Sequence, residues 1–136
     1  MIKVYPGKKI EEITNIDYRQ YFAGHLERPQ LIDAIDDDIE IGISNYKEFT
    51  ADKPHVHPVC SEYGYIISGV SKVLLLDCNE EYTLKEGDFF HISKGTPYAS
   101  KHAKGTKVLF IKAPSNNDKT LVEITEDLDR WMKSWN

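Results

Sequence analysis

The stretch His55-Val56-His57-Pro58-Val59-Cys60-Ser61-Glu62 decides how this chain is read. In extended backbone, side chains two residues apart point to the same face, so His55 and His57 offer two imidazoles to one centre. Glu62 follows a short turn and opens the next extended run, from which its carboxylate can return to that centre. Two nitrogens and one hard oxygen suit Fe, Mn, Ni or Zn and leave positions for water or substrate. The competing reading of the same three residues is a polar pocket without metal. Cys60 lies between the ligands, but a nucleophilic thiol needs a free base and a depressed pKa. Both neighbouring imidazoles are committed to the metal, so packing is its expected role.

Outward from this stretch, turn residues recur at Pro54, Pro58, Gly64, Gly69, Gly87, Gly95, Pro97, Gly105 and Pro114, with short apolar runs between them. That rhythm predicts an all-β chain of short antiparallel strands closed into a sandwich or barrel. Ile39, Ile41 and Ile43 alternate on one face, and Tyr46 and Phe49 follow out of phase, which predicts a bulge near Asn45. Residues 63–67 and 70–76 read as a hairpin across Ser68-Gly69, and residues 98–102 and 106–112 as a second pair turning at Lys104-Gly105. Residues 81–84 and 89–92 are further strands. Alternation turns Phe90 and Ile92 inward, His91 outward, and Tyr63 and Tyr65 away from Glu62. Tyr46, Phe90, Tyr98 and Phe110 are the expected walls of a substrate pocket.

His55, His57, Glu62 and Gly69 together meet in full the first motif of the cupin superfamily: His-x-His, four residues, Glu, six residues, Gly. Gly87, Asp88 and Gly95 match the second motif, with Ser93 where proline is usual, and Tyr98 stands where that motif carries its fourth ligand, a histidine. The resemblance covers roughly residues 39–112. It implies a cupin-type jelly-roll β-barrel with a divalent transition metal as cofactor, held by His55, His57 and Glu62.

Tyr98 leaves three arrangements open. The metal is held by His55, His57 and Glu62 alone, a set chemically sufficient for non-haem iron, with Tyr98 as a hydrogen-bond donor or substrate contact. Alternatively His102 contributes, although four residues of extended chain put it about 13 Å beyond Tyr98. In the third, Tyr98 itself ligates, which its phenol, with a pKa near 10, resists without strong help from the metal. The first is the preferred arrangement, with Tyr98 and His102 as the candidate catalytic residues.

The flanks read differently. Residues 1–38 are expected to add edge strands, at 10–16 and 30–34, with His25 in an exposed loop. Asp33, Asp36, Asp37, Asp38 and Glu40 are read as a solvated turn, since their spacing lacks the glycine and terminal glutamate of a calcium loop. At the other end, Leu128, Trp131, Met132 and Trp135 share one helical face, which predicts a helix over about 126–135 capped by Thr125 and packed on the barrel.

A chain of 136 residues has room for one domain, taken as 1–136. Its 17 basic and 22 acidic residues give a net charge of -5, which argues against a nucleic-acid partner. No apolar run approaches the roughly 18 residues of a membrane span, and the first residues lack a signal peptide's apolar stretch. Cys60 and Cys78, too few for a disulfide framework, are read as buried thiols in a reducing cytoplasm. Strand edges need cover, and the family resemblance implies a homodimer. The expected function is a metal-dependent enzyme acting on a small polar substrate, such as a sugar derivative or hydroxy acid, by isomerase, epimerase or lyase chemistry. The alternatives are a non-catalytic ligand-binding or sensing cupin and a metal-dependent dioxygenase.

Overall fold

The computed structural model describes residues 1–24 and 36–136. The chain runs α1 (Gly7–Ile16), β1 (Arg19–Ala23), β2 (Glu40–Tyr46), β3 (Thr50–Val56), β4 (Ser61–Ser68), β5 (Val70–Leu75), β6 (Glu80–Lys85), β7 (Phe89–Ile92), β8 (Tyr98–His102), β9 (Thr106–Ala113), β10 (Thr120–Leu121) and α2 (Glu126–Lys133). The strands form two antiparallel five-stranded sheets, ordered β1-β2-β9-β4-β7 and β10-β3-β8-β5-β6. This is the expected jelly-roll, two sheets enclosing one interior.

Among the described strands, only β1–β2 and β5–β6 pair with their neighbours in sequence; every other connection passes from one sheet to the other. Both expected hairpins are therefore corners. β4 pairs with β9 and β7, while β5 pairs with β8 and β6. Gly69 makes the first corner, at φ +81°, where an added Cβ would stand 2.5 Å from the Thr106 Cα. A glycine at such a position reports a positive φ, which a hairpin and a sheet-to-sheet corner need alike. The second corner, before β9, turns at Gly105 with φ +86°.

The interior is polar as well as apolar, and that reverses β2. Glu40, Gly42, Ser44 and Tyr46 are its buried positions, while the isoleucines face outward and are half-buried. Tyr46 is in phase with that inward row, and the β2–β9 register runs unbroken from Glu40↔Lys112 to Tyr46↔Thr106, so there is no bulge at Asn45. The inner row Gly42, Phe110, Gly64 and Phe90 alternates glycine with phenylalanine across adjacent strands. A Cβ on Gly64 would fall 2.1 Å from the Phe90 ring, so the missing side chain makes room for the aromatic wall.

Residues 10–16 lie in α1, not in an edge strand: Ile10, Ile13 and Thr14 at helical spacing turn the less exposed side inward. The expected strand at 30–34, together with His25 and Asp33, lies outside the described residues. Asp36 accepts from the backbone N–H groups of Asp38 and Ile39 (2.8 and 3.2 Å), forming a turn into β2. Glu40 leaves that acidic group and points inside, 5% exposed. Cys60 is buried as expected, whereas Cys78 is exposed in the β5–β6 turn, and both thiols are free.

At the C-terminus, Thr125 caps α2 by accepting from the Leu128 N–H at 3.2 Å. Leu128, Trp131 and Met132 cover Leu74 and Ala99 on the outer face of the second sheet. Lys101, 1% exposed, donates to the carbonyls of Trp131 and Ser134 at 2.8 Å each. A buried ammonium thus satisfies carbonyls left open where α2 ends. Among the described residues no helix is long and apolar enough to cross a membrane.

Candidate metal centre

His55 reaches the interior through an irregularity in β3. The β3–β8 register shifts between Asp52 and His55, around Lys53 and Pro54. Three residues apart, Asp52 and His55 would face opposite sides of a regular strand; the bulge turns both inward. The same distortion places the Lys53 carbonyl 2.7 Å from His55 Nδ1. Nδ1 donates there, so the Nε2 lone pair is left for the interior.

His57 is oriented in the same way by a residue far along the chain. Its Nδ1 donates to Asp118 Oδ1 at 2.7 Å. Asp118 Oδ2 accepts from the Val59 and Cys60 N–H groups at 2.9 Å each. Burial alone would raise the Asp118 carboxyl, but these hydrogen bonds outweigh it and hold the group at about 2. The His57 carbonyl accepts from the Gly95 N–H at 2.8 Å, which ties the second motif's turn to the ligand strand.

Both Nε2 atoms converge on Glu62, with His57 Nε2 at 2.5 Å from Oε1 and His55 Nε2 at 3.8 Å. Donor atoms of the three residues all lie within 4.8 Å of one another, and both imidazoles are buried. Burial works against the Glu62 carboxylate, yet hydrogen bonds from His55, His57 and Tyr98 hold its pKa well below the ordinary range. For His57, burial lowers the pKa, but the adjacent Glu62 and then Asp118 raise it overall. Two buried imidazoles whose Nε2 atoms face one carboxylate fit a divalent transition ion in the two-His-one-carboxylate pattern.

Tyr98 is the cross-strand partner of His55. Its hydroxyl lies 2.8 and 2.9 Å from the two Glu62 oxygens and 3.1 Å from His55 Nε2. Burial, then the Glu62 charge, pushes this phenol well above its usual pKa, so it carries its proton. His102 is not part of the donor group. It stacks on Tyr46 (centroids 4.0 Å apart), with Ser71 Oγ at 2.7 Å from Nδ1 and Asp52 Oδ2 at 3.0 Å from Nε2.

A cavity of about 420 Å³ joins these two groups. Tyr46, Phe90, Tyr98 and Phe110 all line it, as expected. Its far end carries Arg19, Asp52, Ser71, Ser100 and His102. Arg19 donates to Ser44 and Tyr46 at 3.0 Å each and lies 3.6 Å from Asp52. At the metal end, Lys112 pairs with Glu40 at 3.3 Å and is the cross-strand neighbour of Glu62. Asp52, Arg19, Lys112 and Asp118 were not singled out from the sequence. Asp118 carried no signal at all, whereas Glu40 and Lys112 share the inward parity of Glu62 once the register is known.

The other sequence candidates take structural places. Burial, then Asp118, pushes the Cys60 thiol up to about 11, and its Sγ donates to the Pro114 carbonyl at 3.2 Å. His91 is exposed and stacks on the outward Tyr63 at 4.5 Å.

Among solved structures, the chain is similar to KdgF from Halomonas sp., with 22% identity, a TM-score of 0.54, and 60% of this chain and 74% of that one covered. It is similar to oxalate decarboxylase from Bacillus subtilis at 17% identity and a TM-score of 0.55. That match covers 64% of this chain but only 24% of the decarboxylase. Pac13 from Streptomyces, a nucleoside dehydratase, matches at 15% identity and a TM-score of 0.57, with 65% and 72% covered. These likenesses are of fold. No curated protein matches the chain. A family model described as the cupin domain matches residues 43–112, the span that holds the two imidazoles, the carboxylate and both motif turns. More than half of the sequence fits that model, and the chain belongs to the cupin family.

Proposed function

We propose that this chain is a metal-dependent enzyme acting on a small polar substrate by isomerase, epimerase or lyase chemistry. The observation that carries the reading is the protonated Tyr98 hydroxyl held against the ligand triad at the inner end of the cavity. A divalent ion bound by His55, His57 and Glu62 would supply Lewis-acid polarisation of a substrate oxygen. Tyr98 holds a proton at Oη, beside that oxygen's expected position, and acts as the proton donor. His102, engaged by Ser71 and Asp52, sits too far along β8 to share the metal and is assigned to the substrate's distal end. Phe90 and Phe110 wall the space between. Lyase-type chemistry also agrees with the structural neighbours described as a decarboxylase and a dehydratase.

The outer face of the first sheet exposes Tyr65, Ile67 and Phe89 and is the proposed homodimer contact. Two free thiols agree with a reducing cytoplasm. The test of the catalytic reading is NMR of metal-loaded protein in D₂O with a panel of sugar derivatives and hydroxy acids. Turnover that disappears on metal removal, and in Tyr98→Phe with metal still bound, is the expected result. Binding without turnover would favour a ligand-binding cupin, and oxygen consumption would favour a dioxygenase.

A further inference from the structure

Among the described residues, the cavity's charged side chains pair off with one exception. Arg19 is matched by Asp52, and Lys112 by Glu40. Glu62, in the donor group, and Asp118, behind His57, would together balance the two charges of a divalent ion held there. What remains is Lys119, which lines the cavity and has no ion-pair partner among the described residues. Lys119 follows directly on Asp118, so the residue that orients His57 also fixes where this lysine starts. Asn117, on the other side of Asp118, lines the same cavity and adds an amide N–H₂. The cavity's volume of about 420 Å³ has room for a molecule of a few carbons.

Resting on the metal-site reading above, the geometry points to Lys119 as the residue that selects an anionic substrate, a small hydroxy- or keto-carboxylate carrying one negative charge. The carboxylate meets Lys119 and Asn117, while the hydroxyl or keto oxygen reaches the metal end. An ammonium without an ion-pair partner at the cavity's solvent-exposed rim matches a monoanion and leaves a neutral polyol without its strongest contact. Burial also lowers the Lys119 pKa, and an arriving carboxylate would offset that penalty.

The test is calorimetric titration of manganese-loaded protein with glycerate, with glycerol as the neutral analogue and glycerol 3-phosphate as the dianion. Glycerate is expected to bind, glycerol to bind at least about tenfold more weakly, and Lys119→Gln to lose about tenfold in glycerate affinity. Lys119→Arg should restore most of that affinity. Manganese affinity, measured separately, should not change in Lys119→Gln. Equal glycerate affinity in Lys119→Gln and the native chain would overturn the assignment, as would glycerol binding equally well or the phosphate binding more tightly than glycerate. Glycerate binding to metal-free protein with the same dependence on Lys119 would uphold this inference while contradicting the metal-dependent reading.

Discussion

Asp118 Oδ1 lies 2.7 Å from His57 Nδ1 although 61 residues separate them. The contact binds the segment after β9 to the ligand strand, and it sets which imidazole nitrogen is free to coordinate. Partners of this kind raise ligand basicity and hold ring orientation. Asp118→Ala is therefore expected to weaken manganese or zinc binding by about 10- to 100-fold while the β-sheet circular dichroism is kept. Affinity equal to the native chain's would remove Asp118 from the centre.

Asp52 gives a pH dependence. Burial alone would raise its carboxyl, but the His102 hydrogen bond, the Arg19 charge and the Tyr46 hydroxyl hold it well below its ordinary 3.8. A depressed folded pKa means that the stabilisation is complete above the unfolded value and is lost as pH falls through the folded one. Asp52→Asn should cost about 1–3 kcal/mol near neutral pH, and the gap to the native chain should narrow below about pH 4. Urea unfolding from neutral to acid pH measures it. A gap that stays constant with pH would contradict the assignment.

Lys101 is the anchor of α2, with both its carbonyl contacts at 2.8 Å and the Trp131 ring centroid 4.2 Å from Nζ. Lys101→Met keeps the apolar stem but leaves two carbonyls open, at a cost of about 2–3 kcal/mol. The tryptophan fluorescence of residues 131 and 135 should shift to the red as the helix loosens. An unchanged spectrum and unchanged stability would show that the apolar face of Leu128 and Met132 holds the helix alone.

What could be read beforehand follows from the range of each signal. His55, His57 and Glu62 are close in sequence, and two-residue alternation encodes their shared face directly. Phe90 and Phe110 follow from the same parity, Tyr98 from its position in the second cupin motif, and α2 from its helical spacing and Thr125 cap. The two hairpins failed because Gly69 and Gly105 report a positive φ but not whether the next strand joins the same sheet. β2 was misread because a barrel around a polar cavity turns Glu40 and Ser44 inward, against the usual sense of alternation. Asp118 was invisible because its partner is set by the path of the chain after β9, with no local pattern to mark it.

The rest of the site's chemistry depends on one metal ion held by His55, His57 and Glu62. Elemental analysis of untagged protein, beside the His55→Ala/His57→Ala double variant, tests it most directly. About one equivalent of iron, manganese, nickel or zinc is expected per native chain and almost none in the variant, with the fold kept in both. A native chain that carries no metal and takes none up, or a variant that retains as much, would contradict it.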